Sequence, residues 1–344
     1  MQKDMHYYGT YAMAVAAGIP ANDAAVIAYA AQFVDDSTNS DRGENPDGGF
    51  LWSVTTAHHP PQVAAHAVLG KLEYQRKMWI PFHFFPGGAG ETLHEKLLCL
   101  KDGPIVRAML ENHLEIAENK PYCLELIGIS AHVYADTFSH YGFSGMHSDY
   151  NTIVERSFTF VEEPNQTIKS YIMGKWEKFF ASKAYVLALG HGSVATMPDR
   201  PYLNWQFDFK QKRPKNGATS PRNNLATYFE ACEKLHGFFA RFAKMRYANN
   251  TQTSFNDIKE TVHELLDFEG QENERISKWQ KSGLTPGIPN YDPSTWENGK
   301  DTFARLANSQ TSIDTHIYRF HQAAAYHRYY VLKDLLPAHG IAAY

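Results

Sequence analysis

The sequence predicts an all-α protein, a multi-helix bundle with a polar centre between buried helices, and three observations carry that expectation. Helical hydrophobic periodicity recurs along most of the 344 residues, only residues 50–56 read as a short strand, and residues 124–145 read LELIGISAHVYADTFSHYGFSG. In that stretch His132, Asp136 and His140 follow one another at intervals of four. At about 100° per residue each such step turns about 40°, so the three side chains form one oblique stripe, which Glu125 and Ser139 share. The flanks are apolar: Leu126 and Val133 on one side, Ile127 and Phe138 on the other, with small Gly128 and Ala135 beside the polar residues. A helix that is apolar nearly all round is buried, and buried imidazoles and carboxylates need hydrogen-bond partners or a cation. His132 and His140 stand about 12 Å apart along the axis with Asp136 midway, which suits one carboxylate between two ions better than a mononuclear site.

Composition narrows the function classes. The length allows one large domain or two ordinary ones. A net charge of −4 with 20% charged residues gives no global reason for a stable nucleic-acid complex, and the basic run KQKRPK at 210–215 reads as a solvated loop. Cys99, Cys123 and Cys232 form no CxxC pair, which argues for packed, reduced thiols and against a thiolate zinc site. The N-terminus has no basic region followed by an apolar run, and no segment reaches eighteen apolar residues, so the expectation is a cytoplasmic protein with no membrane span. The unusual count is 17 histidines, for which metal ligation is the obvious outlet.

The elements follow in order. Tyr7 to Ala17 reads as a helix that Gly18-Ile19-Pro20 stops. An Ala-rich helix from Asn22 to Phe33 can pack closely on a neighbour. Asp35 and Asp36 follow it, either as ligands that bring a cation to a helix end of the wrong sign or as the start of a turn. Residues 39–49 form a polar, Gly- and Asp-rich loop, and 50–56 a short strand leading to His58, His59 and a Pro-Pro break. The segment WIPFHFFPGGAG, 79–90, sets His83 among aromatic residues before a glycine loop. Helices are expected at Pro104 to Glu118, Tyr122 to Tyr141 and Gln166 to Leu189. Then comes GHGSVATMPDRPYLNW, where Gly190 and Gly192 free the backbone around His191 while Pro198 and Pro201 brace Asp199. After Trp205, a Lys-, Pro- and Gly-rich linker at 210–220 opens into helices at Asn224 to Tyr247, Asn256 to Asp267, Gln271 to Lys281 and, past a Pro-rich loop, Ser312 to Leu335. His316 and His327 lie about 16 Å apart on that last helix and read as packing residues. The organisation expected is a metal-binding helical core, 1–205, with a helical second half, 206–344, packed on it as one continuous domain.

The constellation resembles a known superfamily. An N-terminal His, an Asp after the second helix, a further His and then HxxxD on a buried helix are similar to the zinc-dependent phospholipase C and single-strand nuclease group, all-α enzymes with two or three zinc ions in a cleft. The segments DMHYYGTY, AYAAQFVDD, AHH, IPFHFFPGG, AHVYADTFSHYGFSG and GHGSVATMPDRPYLNW resemble more closely an uncharacterised bacterial family of hypothetical proteins, over nearly all of 1–205. The superfamily resemblance implies ligands at His6, at Asp35 or Asp36, at His58 or His83, and at His132 and Asp136, with Asp136 bridging. Two departures stand out. His140 follows Asp136 by four residues where the phospholipases space the next His by six. Their N-terminal amine, freed by signal removal, binds a zinc, whereas this chain begins at Met1 without a signal, so His191 and Asp199 would have to build a third site. The ligand set taken forward is therefore His6, Asp36, His58, His83, His132, Asp136, His140, His191 and Asp199, with Asp35 and Asp36 as candidate bases.

Two or more divalent ions, zinc first with manganese and iron as alternatives, would bind a phosphate oxygen, lower the pKa of a bound water and stabilise a leaving oxygen. The expected function is hydrolysis of a phosphoester or other small substrate, with metal-bound hydroxide as nucleophile and an unliganded aspartate as base. Two rivals keep the metal: a di-iron enzyme of oxygen chemistry, and a non-catalytic binding protein that the metal stabilises.

Overall fold

A computed structural model describes residues 1–58, 72–154, 157–181, 188–213, 220–248 and 251–343. The chain is mostly helical with two small sheets, so the helical expectation holds at the level of class. The first helix, α1, starts earlier than its periodicity suggests: a π-helical Asp4–Gly9 runs directly into α-helical Thr10–Ala16. Gly18, at φ +93°, ends the helical stretch as expected. Helix α2, Ala21–Asp36, does not stop at Phe33, so Asp35 and Asp36 are helical residues on different faces. Strands β1 (Arg42–Glu44) and β2 (Phe50–Trp52) pair antiparallel, Gly43 opposite Leu51. The segment expected as a plain loop thus supplies one strand and the turn. Asn45-Pro46-Asp47-Gly48 closes it, with Gly48 at φ +86° donating its N–H to the Asn45 carbonyl.

Helices α3 (Leu72–Phe82), α4 (Pro104–Ala117) and α5 (Cys123–His140) complete the centre. The whole of α5 except Leu124 is buried, as its apolar flanks require. It packs most heavily on α2, and the contact is set by a glycine: a Cβ on Gly128 would lie 2.3 Å from the Ile27 carbonyl oxygen and 2.6 Å from the Ala30 Cβ. The Ala-rich stretch of α2 is what the glycine meets, so the two backbones nearly touch.

Strand β3 (Thr159–Phe160) joins β4 (Asn204–Gln206) and β5 (Arg222–Asn223) in a three-stranded antiparallel sheet, Phe160 opposite Trp205 and Trp205 opposite Arg222. Helix α6 is Gln166–Ala181; its expected continuation reaches 182–187, outside the described residues, and Ala188 and Leu189 are not helical. Residues 214–219 of the expected linker and His59 are likewise outside them. Helices α7 (Asn224–Arg246), α8 (Phe255–Asp267), α9 (Glu272–Lys281), α10 (Ser294–Arg305) and α11 (His316–Tyr329) form the second half. Of these, α10 follows a proline and was not evident from periodicity. Helix α11 continues as a π-helical Tyr330–Leu335.

The main core runs through both halves, from Met5 and Ile27 to Phe239, Trp279 and Leu332. A second, smaller cluster of Phe84, Phe143, Val194, Met197, Trp205 and Phe207 lies beneath the chain segment 190–205. Cys99, Cys123 and Cys232 are buried free thiols. Among the described residues no helix is long and apolar enough to cross a membrane.

Candidate metal centre

The close approach at Gly128 puts the next turn of α5 against the end of α2, and His132 there donates its Nδ1–H to the Ala31 carbonyl at 2.8 Å. A carbonyl only accepts, so the bond fixes the tautomer and leaves the Nε2 lone pair facing inward. The same device recurs at three other histidines. His83, at the end of α3, donates Nε2–H to Thr56 O at 2.9 Å; His140, the last residue of α5, donates Nδ1–H to His83 O at 2.9 Å; His191 donates Nδ1–H to Ala195 O at 2.6 Å. Four imidazoles are thereby aimed, lone pair first, at one interior space.

What they face is acidic. Asp136 Oδ2 lies 3.2 Å from His132 Nε2 and 3.4 Å from His83 Nδ1, while Asp136 Oδ1 lies 3.2 Å from His6 Nε2. The lone-pair nitrogens of His132 and His83 are only 3.2 Å apart. Asp199 Oδ1 is 3.3 Å from His140 Nε2, and its Oδ2 is 3.6 Å from His191 Nε2. Among the described residues, both ring nitrogens of His6 and Asp136 Oδ2 are buried without a hydrogen-bond partner. His6 is held instead by stacking on His132, with ring centroids 3.9 Å apart.

Donor atoms of His6, Asp35 and His132, of His83, His132 and Asp136, and of His140, His191 and Asp199 each lie within 4.8 Å of one another, the geometry of groups able to hold a metal ion. Because His132 has one free nitrogen, the first two triads describe a single helix-borne place with a choice of ligands. The third is a loop-borne place, and Asp136 stands between them.

The structure separates Asp35 from Asp36. Asp35 joins the centre, 3.8 Å from His83 Nδ1 and 4.0 Å from His6 Nε2. Asp36, the expected ligand, turns about 100° away around the helix, where its Oδ2 accepts from Tyr291 Oη at 2.6 Å and Gln32 Nε2 at 3.2 Å. His58 is half-buried and belongs to none of the three groups among the described residues; His83 takes the imidazole place left open between them. His316 pairs with Glu125 at 2.8 Å, and His327 with His113 at 3.0 Å; neither belongs to the three groups.

One member was not anticipated. The α-amino group of Met1 lies 2.7 Å from Asp136 Oδ1 and 3.4 Å from both Asp199 Oδ1 and His140 Nε2. Burial works against its charge, but Asp136, Asp199 and Asp35 outweigh it and push the ammonium up to about 11. The amine thus lies beside His140 and Asp199, within the group that His191 and Asp199 form with His140. The departure was visible in the sequence, but only the path of α1 shows that its start reaches the centre.

Several titratable groups of the centre are strongly perturbed. Burial, with the neighbouring His132 and the ammonium, holds His6 well below the usual imidazole range. Burial lowers His191 to about 4. Against the cost of burial, His140, the ammonium, His132 and His6 keep Asp136 well below the usual carboxylate range, and His191 and the ammonium do the same for Asp199. Asp35 is pushed by burial up to about 7, His83 and the ammonium only partly offsetting it. Depressed His6 and His191 beside carboxylates kept ionised, with imidazole orientations fixed by backbone carbonyls, make a donor set that could hold a metal ion.

The loop group is braced from below. Gly190, at φ +55°, has no room for a side chain, since a Cβ would lie 2.3 Å from the Phe84 ring. Ala195 takes φ +48°, costly for a residue with a Cβ, and so presents its carbonyl to His191. Tyr228 Oη donates to Pro198 O, and Asn224 Nδ2 to Met197 O and Arg200 O.

These features define a helical protein with a buried His/Asp centre able to hold metal. The chain belongs to DUF6765, a family of unknown function, whose model matches residues 1–335. No curated protein and no solved structure matches it.

Proposed function

We propose that this protein is a metal-dependent hydrolase acting on a phosphoester, with two or three divalent ions held by His6, His83, His132, Asp136, His140, His191 and Asp199. The observation that carries the reading is the set of four imidazoles whose outer N–H groups are locked on backbone carbonyls while their lone pairs meet buried carboxylates. Metal-ligating histidines are almost always oriented in this way. The donor set has more imidazole than carboxylate, which suits zinc better than a carboxylate-rich di-iron centre.

Ions bound here would supply Lewis acidity and a water of lowered pKa. The chain's own residues would do the rest. Asp136, with Oδ2 toward His83 and His132 and Oδ1 between His6 and the ammonium, would be the carboxylate that serves both places. Asp35, about a third exposed, and His191, a fifth exposed, mark where the centre reaches solvent and where a substrate would approach. With Asp36 engaged by Tyr291, Asp35 is the carboxylate left to accept a proton from water at that edge.

The test is metal analysis of protein purified without added metal, followed by a screen of phosphomonoesters, phosphodiesters, nucleotides, single-stranded nucleic acid and phospholipids. Zinc or manganese at about two per chain with turnover of one class supports the reading. Coloured iron with an oxygen-sensitive spectrum would move it to oxygen chemistry, and absence of metal would leave a binding protein.

A further inference from the structure

None of the candidate ligands comes from the second half of the chain, yet two of its arginines are wholly buried at the segments that deliver ligands. Arg275, in α9, is 0% exposed. Its Nε and Nη2 donate to the Asp4 carboxylate at 2.6 and 3.1 Å, its Nη2 also to Gln2 Oε1 at 2.6 Å, and its Nη1 to Gly270 O at 2.7 Å. Gln2 and Asp4 lie between the Met1 amine and His6, the two groups that α1 contributes to the centre. Arg222, in β5, is also 0% exposed. It donates through Nη1 to Ser139 O at 2.7 Å and through Nη2 to Tyr141 O, the carbonyls on either side of His140. Its guanidinium lies 4.0 Å from the centre of the Tyr141 ring and 5.2 Å from that of Phe143.

A planar guanidinium holds two acceptors in a fixed relation, which a flexible ammonium cannot do. Burying two such cations is costly and gains little stability over apolar packing. Their position therefore calls for an explanation other than stability. We infer that Arg275 and Arg222 are positioning residues of the metal centre: Arg275 sets His6 and the Met1 amine through Gln2 and Asp4, and Arg222 sets His140 through the carbonyls that flank it. This rests on the metal reading above. It adds that the second half completes the centre without ligating it.

The test measures zinc affinity by competition with a chelator, beside circular dichroism and melting of the metal-free protein. A His191→Ala background leaves the helix-borne ion as the one reported. There Arg275→Gln should weaken zinc about 10- to 100-fold, as loss of an outer partner of a ligand does, and Arg222→Gln should leave it unchanged. In the otherwise intact chain Arg222→Gln should weaken the loop-borne ion by a similar factor. Gln2→Ala removes one bond of the Arg275 clamp without unpairing a charge, so it tests the same point if Arg275→Gln fails to fold; a severalfold loss is expected. Unchanged zinc affinity in folded Gln2→Ala and Arg275→Gln, with only the melting temperature lowered, overturns the inference while the metal reading stands. A wild-type chain that binds no zinc overturns both.

Discussion

The helix-borne and loop-borne halves of the centre are built by different means. In the first, His6, Asp35 and His132 sit on three helices, and the α2–α5 contact at Gly128 sets the distance between the two that carry Asp35 and His132. In the second, His191 and Asp199 sit on an irregular segment held by a glycine with no room for a side chain, a strained alanine, and hydrogen bonds from Asn224 and Tyr228. The first inherits its precision from secondary structure. The second must fix each carbonyl separately, and it draws on residues far along the chain to do so. Asp136 and the Met1 amine lie against both, and α5 carries His132 of the first and His140 of the second, so the halves are joined by charge and by one helix.

The sharpest way to break that arrangement is Asp136→Asn, which keeps the shape but removes the shared charge. Metal content should fall at both places, with zinc affinity down by more than roughly a hundredfold, beyond the loss of an outer partner. Phosphoester hydrolysis should vanish while circular dichroism stays that of a helical protein. Equal activity in wild type and variant would remove the stripe on α5 from the chemistry.

Single truncations should separate the halves. His191→Ala is expected to lose the loop-borne ion alone, and His132→Ala the helix-borne ion alone, each read as a drop in metal stoichiometry after dialysis. If either variant released both ions, the two places would have to be one.

A methyl group at the crossing point tests how far geometry travels. Gly128→Ala must push α2 and α5 apart, at a cost of about 1–3 kcal/mol by denaturant unfolding. Zinc affinity of the helix group should fall with it, and that of the loop group, measured in a His132→Ala background, should change less. A variant as stable as wild type would mean that the backbones do not meet as described.

The last test lies outside the centre. His321 accepts from Val54 N–H at 3.1 Å through Nδ1, and burial, helped by Lys300, lowers it to about 3. Between its ordinary value near 6.5 and 3 the unfolded chain takes up a proton that the folded one does not. Stability from this group is therefore complete above about 6.5 and is lost as pH falls through the window, by at most about 1.4 kcal/mol per pH unit. His321→Gln offers an acceptor that does not titrate, so its unfolding free energy should decline less steeply over that range. Parallel curves for the two proteins would show that His321 is protonated in both states.

The helices around the centre were legible because burial leaves a period. The greasy flanks of α5 and the Ala-rich α2 announce two buried helices that can approach closely, and four-residue spacing announces that His132, Asp136 and His140 share a face. The β1–β2 pairing was less so, because its first strand is three polar or small residues, Arg42 to Glu44, with no alternation to read. The choice between Asp35 and Asp36 was not legible at all. Both are acidic, adjacent and at a helix end, and the decision rests on where the helix stops and on Tyr291, more than 250 residues away in sequence.

By itself, then, the sequence determined the helical class, the buried polar stripe and most of the residue types that gather there, since these follow from local periodicity and the cost of burying charge. Tertiary structure alone decided which aspartate joins, that His83 rather than His58 completes the helix group, that the Met1 amine enters the centre, and that Arg222 and Arg275 grip the ligand-bearing segments. Those are contacts between residues remote in sequence, and local pattern carries no information about a distance that only the packed chain defines.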